Sequence, residues 1–293
     1  PRSSSMLSKG IVHMLVAGIF FSAMNFGVKY LDHIPAIEIV FFRALVSLVM
    51  SYVYLRRHAI SPWGNNRLLL FMRGFIGALA LAMYFRTLQE MPFASAVTLM
   101  QLSPIFTVVL AIFLLRERVH WLQWIFFAIA FAGVALIKGF DPRVEPLFFA
   151  MGIGAALMAG IAYNIVRKLK DTDHPLVVVF FFPLIATPIA GVISAFNWVM
   201  PTGWDWLILL GIGVATQIAQ VNMTRAMQLE KLAKVSVVRY LTVVYAILIG
   251  YFIFGEALPF WSLVGIVLVL SGIILNLLFA RRLNRYQDAA DAR

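Results

Sequence analysis

Two arginines, Arg43 and Arg239, stand inside long apolar runs of this chain, while no acidic residue stands near the middle of any such run; Glu38 comes only within a turn of one start. A guanidinium keeps its charge and costs about 2.5–3.5 kcal/mol at the centre of a membrane helix, so it must face protein or water and meet a partner. Its planar fork matches a carboxylate. Arginine without buried acid therefore points to an anionic or zwitterionic solute, and away from cation pumps that hold their cargo on a membrane-buried carboxylate. Each arginine lies about 8–12 Å from the end of its run, so snorkelling to the interface is the competing reading, particularly for Arg43.

Uncharged polar residues form stripes. Gln217, Gln220, Thr224 and Gln228 recur on one helical face, as do Ser22, Asn25 and Lys29; a third run offers Ser95, Thr98 and Gln101. Such stripes either glue helices together, at about 0.6 kcal/mol per bond, or line a hydrated path for a solute. The candidate solute-binding residues are Arg239, Gln217, Gln220 and Asn25, with Tyr240 beside Arg239, followed by Arg43, Ser22, Gln101, Thr98 and Tyr84. Catalytic patterns are missing. The chain has no cysteine, no His-Glu-x-x-His, no paired aspartates within a run and no serine nucleophile beside a base. Its five histidines fall near run ends without metal-ligand spacing, so neither an enzyme nor a cofactor or metal site is expected.

These residues sit in a chain of 293 residues that is 62% hydrophobic and only 13% charged, with a mean hydropathy of +0.91. Soluble domains are about 45–50% apolar and about 25% charged, so this is the composition of a polytopic membrane protein. Ten apolar runs are long enough to span a bilayer, at 10–30, 36–55, 68–88, 93–115, 120–139, 147–167, 175–196, 206–227, 234–254 and 260–280. The first continues into Asn25 and Lys29 and is read as a span, not a cleaved signal. The net charge of +11 does not indicate nucleic acid, because the basic residues lie at run ends. Eighteen of the 24 lysines and arginines, Arg73 among them, fall on the side of the N-terminus; four fall on the other side, and Arg43 and Arg239 lie within spans. This bias predicts that both termini are cytoplasmic.

The second half repeats the first at an offset of 139 residues. Asn25 matches Asn164, Lys29 matches Lys168, Arg86 matches Arg225, Gln89 matches Gln228, Glu117 matches Glu256 and Gly133 matches Gly272. Asn164, beside Tyr163, thereby joins the candidate solute-binding set. Five spans per copy is an odd number, so the second copy must insert upside down. The expected fold is an all-α polytopic membrane protein of ten transmembrane helices in two inverted five-helix repeats. Its expected parts are a cytoplasmic tail at 1–9, the repeats at 10–140 and 147–281, and a cytoplasmic tail at 282–293. Inverted repeats are how many secondary carriers expose one midplane site to either side. Glu117 and Glu256, each closing a span, are expected to hold the fold together and not to carry protons.

The stretch from Arg86 to Leu136 resembles the EamA unit of the drug/metabolite transporter superfamily, through Leu102-Ser103-Pro104, Glu117 and Gly133. The second copy shows Leu241-Thr242-Val243, Glu256, Gly265 and Gly272, with Val243 where the first has Pro104. The resemblance implies a ten-helix carrier whose central cavity is lined by spans 1, 3, 4, 6, 8 and 9, with spans 5 and 10 at the periphery. The expected function is alternating-access transport of a small polar anionic or zwitterionic metabolite, such as an amino acid or carboxylate-bearing compound, by an exporter in a bacterial inner membrane. An uptake carrier for a vitamin- or nucleotide-like solute and a lipid translocator are the alternatives. The expected partners are the lipid bilayer and the solute, with no nucleic acid and no requirement for an oligomer.

Overall fold

The computed structural model describes residues 9–114, 120–169, 172–229 and 240–291. The first repeat contributes helices α1 (Lys9–Tyr30), α2 (Ala36–Arg57), α3 (Arg67–Glu90), α4 (Phe93–Met100), α5 (Ser103–Leu114) and α6 (Trp121–Phe140). The second contributes α7 (Pro146–Leu169), α8 (Pro175–Ser194), α9 (Asp205–Leu229), α10 (Leu241–Phe252) and α11 (Phe260–Asp291). Among the described residues nine helical stretches are long and apolar enough to cross a membrane, α4 and α5 together counting as one, and α10 is a shorter apolar helix.

Helix starts follow local chemistry. The Asn66 side chain accepts the Leu69 N–H at the start of α3. At α6, His120 Nδ1 accepts from the Leu122 N–H while the Gln123 side chain accepts the His120 N–H, a reciprocal cap. Pro175 occupies the first turn of α8, where its missing N–H costs nothing. The fourth span, expected as one helix, breaks instead at Gln101 and Leu102. Pro104 follows at once, and a proline inside a helix lacks the N–H and crowds the preceding turn. The last helix runs on beyond its membrane-length portion, Phe260–Ala280, to Asp291.

Packing obeys the repeat. The pair α1–α9 has its counterpart in α3–α7, α3–α8 in α2–α9, and α5–α7 in α1–α10, while α2–α8 and α6–α11 pair like with like. The α6–α11 seam shows the direction. A Cβ on Gly133 would collide with Gly265 O and lie 2.7 Å from Val269 N; one on Gly272 would lie 2.5 Å from Phe126 O and 2.8 Å from Ala130 N. Each atom in the first set is the 139-residue mate of one in the second. Only backbone-on-backbone approach through glycine permits this seam. Residue numbers ascend on one helix as they descend on the other, and Gln123 Nε2 donates to Asn276 Oδ1 at 2.9 Å further along. Equivalent helices are therefore antiparallel, and the two copies are inverted. Trp63, Trp121, Trp124, Trp198, Trp204, Trp206 and Trp261 all lie exposed near helix ends, as an interfacial belt requires.

Candidate functional site

The end of the bundle that carries both the start of α1 and the end of α11 is here the termini end, and its opposite the far end. The far end is closed by charge. Lys29 Nζ, at the last turn of α1, pairs with Glu256 Oε1 at 2.9 Å and donates to Met91 O at 2.6 Å. The other oxygen of Glu256 accepts the Phe93 N–H at 2.6 Å, so the carboxylate also sits on the N-terminus of α4. Glu256 thus links the end of α1 and the start of α4 to the segment after α10. Beside it, Gln89 Nε2 donates to Leu31 O and Ile34 O, both at 2.9 Å, and Arg143 bridges Asp141 Oδ2 at 2.8 Å and Ala257 O at 2.9 Å.

A cavity of about 240 Å³ opens at the termini end between α2, α8 and α9. Tyr54, His174 and Arg225 stand at its exposed rim, and Ser51, Gln217 and Gln220 line its wall. Gln217 Nε2 approaches Ser51 Oγ at 3.4 Å. Two of the three residues ranked highest after Arg239 in the sequence thus share one hollow. It lies between spans 2, 7 and 8, whereas the family resemblance implies a cavity among spans 1, 3, 4, 6, 8 and 9.

The other candidates are packed within the bundle. Asn25 and its repeat mate Asn164 are both buried, and each leaves its Oδ1 without a hydrogen-bond donor. Asn164 Nδ2 donates to Thr107 O at 2.9 Å and Gly160 O at 3.1 Å. Ser22 Oγ and Gln101 Oε1 are likewise buried and unpartnered, although Gln101 Nε2 donates to Thr242 Oγ1 at 2.9 Å. Buried polar atoms in proteins nearly always find a partner, so these four orphans stand out among the buried polar groups. Thr98 turns its hydroxyl onto Ala94 O, 2.7 Å away in its own helix. Tyr84 is buried beside Phe85, Tyr240 is buried at the start of α10, and Tyr163 is half-buried. Arg239 and Glu117 lie outside the described residues, as do the side chains of Thr224 and Gln228.

Arg43 does not snorkel. It is buried, its Nε donates to Thr216 Oγ1 at 3.1 Å, and its Nη1 has no partner. The Thr216 hydroxyl spends its own proton on Ile212 O, which leaves a lone pair for the arginine. A second guanidinium, missed in the sequence, joins it. Arg73 lies six residues into α3 and reads there as an interfacial residue, yet its Nε and Nη1 are buried without partners. A Cβ on Gly77 would collide with Arg73 Nη1, so that glycine makes the groove in which the side chain runs inward. Both guanidiniums lie on the Phe182 ring, with Cζ 5.5 Å from its centroid for Arg43 and 5.3 Å for Arg73. The two Cζ atoms are therefore within about 11 Å of each other and repel by about 1.5 kcal/mol or more at an effective dielectric of about 20.

Comparison with known proteins accords with this architecture. The EamA-like transporter family model matches residues 8–139 and again 147–278. The pseudopaline exporter CntI of Pseudomonas aeruginosa is 30% identical over 92% of this chain and 96% of its own length. Solute carrier family 35 member G1 of Mus musculus is 26% identical over 89% of this chain and 76% of its own, and the riboflavin transporter of Vibrio cholerae 25% identical over 86% and 87%. A crystal structure at 18% identity shares the fold, with a TM-score of 0.68 over 94% of this chain and 98% of that one. A family model that covers both halves, on a bundle whose equivalent helices run antiparallel, leaves one conclusion: the chain is a multi-pass membrane protein of the EamA-like transporter family, within the drug/metabolite transporter superfamily.

Proposed function

We propose that this protein is an alternating-access secondary carrier for a small anionic or zwitterionic metabolite, and that it exports its solute across a bacterial inner membrane from a cytoplasmic termini end. The observation that carries this reading is the pairing of a polar cavity open at one end with an ion-paired closure at the other. The cavity wall of Ser51, Gln217 and Gln220 supplies neutral hydrogen-bonding groups, and its rim carries Arg225. Orphaned Asn25 and Asn164 Oδ1 atoms on repeat-related helices supply further acceptors within the bundle, suited to the ammonium of a zwitterion. Inverted repeats give the motion its symmetry, since exchanging the conformations of the two copies turns an opening at one end into an opening at the other. The basic bias of the termini end supports its cytoplasmic placement, and an exporter among the relatives supports the direction.

Counterflow in proteoliposomes tests this reading, with a panel of carboxylates, amino acids and permanent cations. Exchange of anions or zwitterions is expected, slowed about tenfold or more by Gln217→Ala or Gln220→Ala, since one hydrogen bond to a charged group is worth about 1.5–3 kcal/mol. Arg239→Ala is expected to weaken anion exchange as well. Preference for permanent cations, or the absence of any exchange, overturns the assignment.

A further inference from the structure

The geometry points to a dianion-binding site at the crossing of α2, α3 and α8, formed by Arg43 and Arg73 against the Phe182 ring, so that the solute carries two negative charges. This deepens the proposed carrier function and rests on it for the solute's route. Neither arginine is needed by that proposal, which places neutral groups in the cavity wall.

The argument is one of charge balance. Buried charges in proteins are paired, because an unpaired one forfeits its hydration without compensation. Here two guanidiniums share one aromatic ring, and neither forms an ion pair among the described residues. The acids of the nearest charged contacts are engaged elsewhere. Glu256 holds Lys29, Glu90 holds Arg86, and Asp141 holds Arg143. Glu38, on the same helix as Arg43, accepts the Val199 N–H at the far end. Arg43 Nη1, Arg73 Nε and Arg73 Nη1 are thus buried donors with nothing to donate to. A guanidinium fork binds carboxylate or phosphate oxygens in pairs. Two forks on one ring suit two carboxylates on a short chain, or one phosphate ester in its doubly ionised form. Gly77 fits the same purpose. By clearing the groove it turns Arg73 into the bundle, whereas a helical side chain ordinarily leans back towards its own N-terminus, here the termini end.

A route to the site is built into α2. Ser51, Ser47 and Arg43 recur every four residues on one face, which is a descent of about 12 Å from the cavity wall to the guanidinium. Ser47 is buried and its Oγ has no partner, as befits a rung that a passing oxyanion would use. Across from it on α9, Gln220, Gln217 and Thr216 continue the polar lining, and Thr216 holds Arg43 directly.

The test uses the purified full chain in two arms, direct calorimetric binding in detergent and counterflow in proteoliposomes. The probes are succinate for paired carboxylates, glycerol 3-phosphate for a phosphate dianion, and lactate and glycine as singly charged and zwitterionic controls. One of the two dianions is expected to bind tightest and so to name the oxyanion. Arg43→Gln and Arg73→Gln are each expected to weaken it about 10- to 100-fold, with the controls changed no more than about threefold. Arg→Lys at either position keeps the charge but loses the fork and is expected to fall between. Loss of all probes together, or of none, with a lowered melting temperature, identifies the stack as a helix clamp and overturns the site. Phe182→Leu keeps both arginines and covers the case in which an arginine variant does not fold; weakened dianion binding in it with the controls unchanged supports the site, and unchanged affinity for every probe overturns it. Arginine-dependent binding of a dianion without any transport keeps the site and sinks the carrier function. Transport of glycine or lactate without affinity for either dianion does the reverse.

Discussion

The two ends of the bundle are built from repeat-related residues and yet are held by different chemistry. At the far end, the loop after α1 meets the loop before α9 through His33 Nε2 and Asp205 Oδ2, 3.1 Å apart. At the termini end, the repeat mates of those loops meet through Asp173, whose carboxylate accepts the N–H groups of Asn65 and Asn66. Sequence positions correspond one for one: His33 with Thr172, Asp205 with Asn66, and Gly203 with Gly64. Both clamps are made at once although they lie at opposite ends, so each is expected to persist when the two ends exchange conformations. The Lys29–Glu256 pair on the Phe93 N–H is different, because it shuts the end opposite the cavity. On the proposed transport cycle the loop clamps are the ties that persist, and the Lys29–Glu256 pair is the contact expected to open.

The largest effect is expected at that gate. Lys29→Met leaves the part-buried Glu256 carboxylate without its cation, at a cost of about 3 kcal/mol, or about a hundredfold in the balance between closed and open far ends. Because the chain has no cysteine, a single Met91→Cys probe reports this directly, since Met91 is buried beneath the gate. Its labelling by an impermeant maleimide should rise about a hundredfold in the Lys29→Met background. Unchanged labelling means that the pair is another permanent tie.

Asp173→Asn is expected to cost about 1.5–3 kcal/mol in thermal unfolding while leaving Met91→Cys labelling as it was, which a clamp predicts and a gate does not. The same clamp has a pH signature. Burial works to raise the Asp173 carboxyl, but the Asn65 N–H, the Thr172 hydroxyl and the Asn66 N–H outweigh it and hold it below the usual carboxylate range. A lowered folded value stabilises the ionised protein, so this contribution is complete above about pH 3.9, the unfolded value, and fades as pH falls through the lower folded one. Melting curves of the wild type and Asp173→Asn should therefore differ by a constant amount from neutrality down to about pH 4 and converge only in stronger acid. A difference that shrinks already near neutrality refutes the clamp's assignment to Asp173.

The smallest effect is expected at the paired glycines. Both take positive φ, +60° at Gly64 and +50° at Gly203. A Cβ on Gly203 meets nothing within 4 Å, so Gly203→Ala should cost only the backbone strain of about 1–2 kcal/mol. On Gly64 it would strike Leu70 Cδ1 and come within 2.7 Å of Asp173 Oδ1, so Gly64→Ala should lower the melting temperature further and disturb the clamp as well. Equal losses at the two positions would show that the ends are more alike than their contacts.

Much of this was legible from residues alone where the signal was local. Apolar run lengths gave the spans, and coincident rare polar residues gave the repeat whose mates Gly133 and Gly272 prove to make mirrored contacts. Glu256 could be read as a structural acid because it closes a span. The break at Gln101 was not anticipated, although Pro104 stood in plain view, since a proline in a membrane helix is often tolerated by its neighbours. Arg73 was assigned to the interface because its position is near a helix start, and nothing in one dimension shows that its side chain turns inward past Gly77. His33 and Asp205, 172 residues apart, carry no pattern that announces their pairing.

The sequence by itself determined what the bilayer enforces: which segments are apolar enough to cross, how many there are, and hence that an odd-numbered copy must be inverted. Hydrophobicity and parity are additive along the chain, so they survive without coordinates. Tertiary structure alone decided which polar atoms are paired and which are left over, because a hydrogen bond or an ion pair depends on side-chain direction within fractions of an ångström. The closure at Lys29, the cavity at Gln217 and the unpaired donors of Arg43 and Arg73 are all of that second kind.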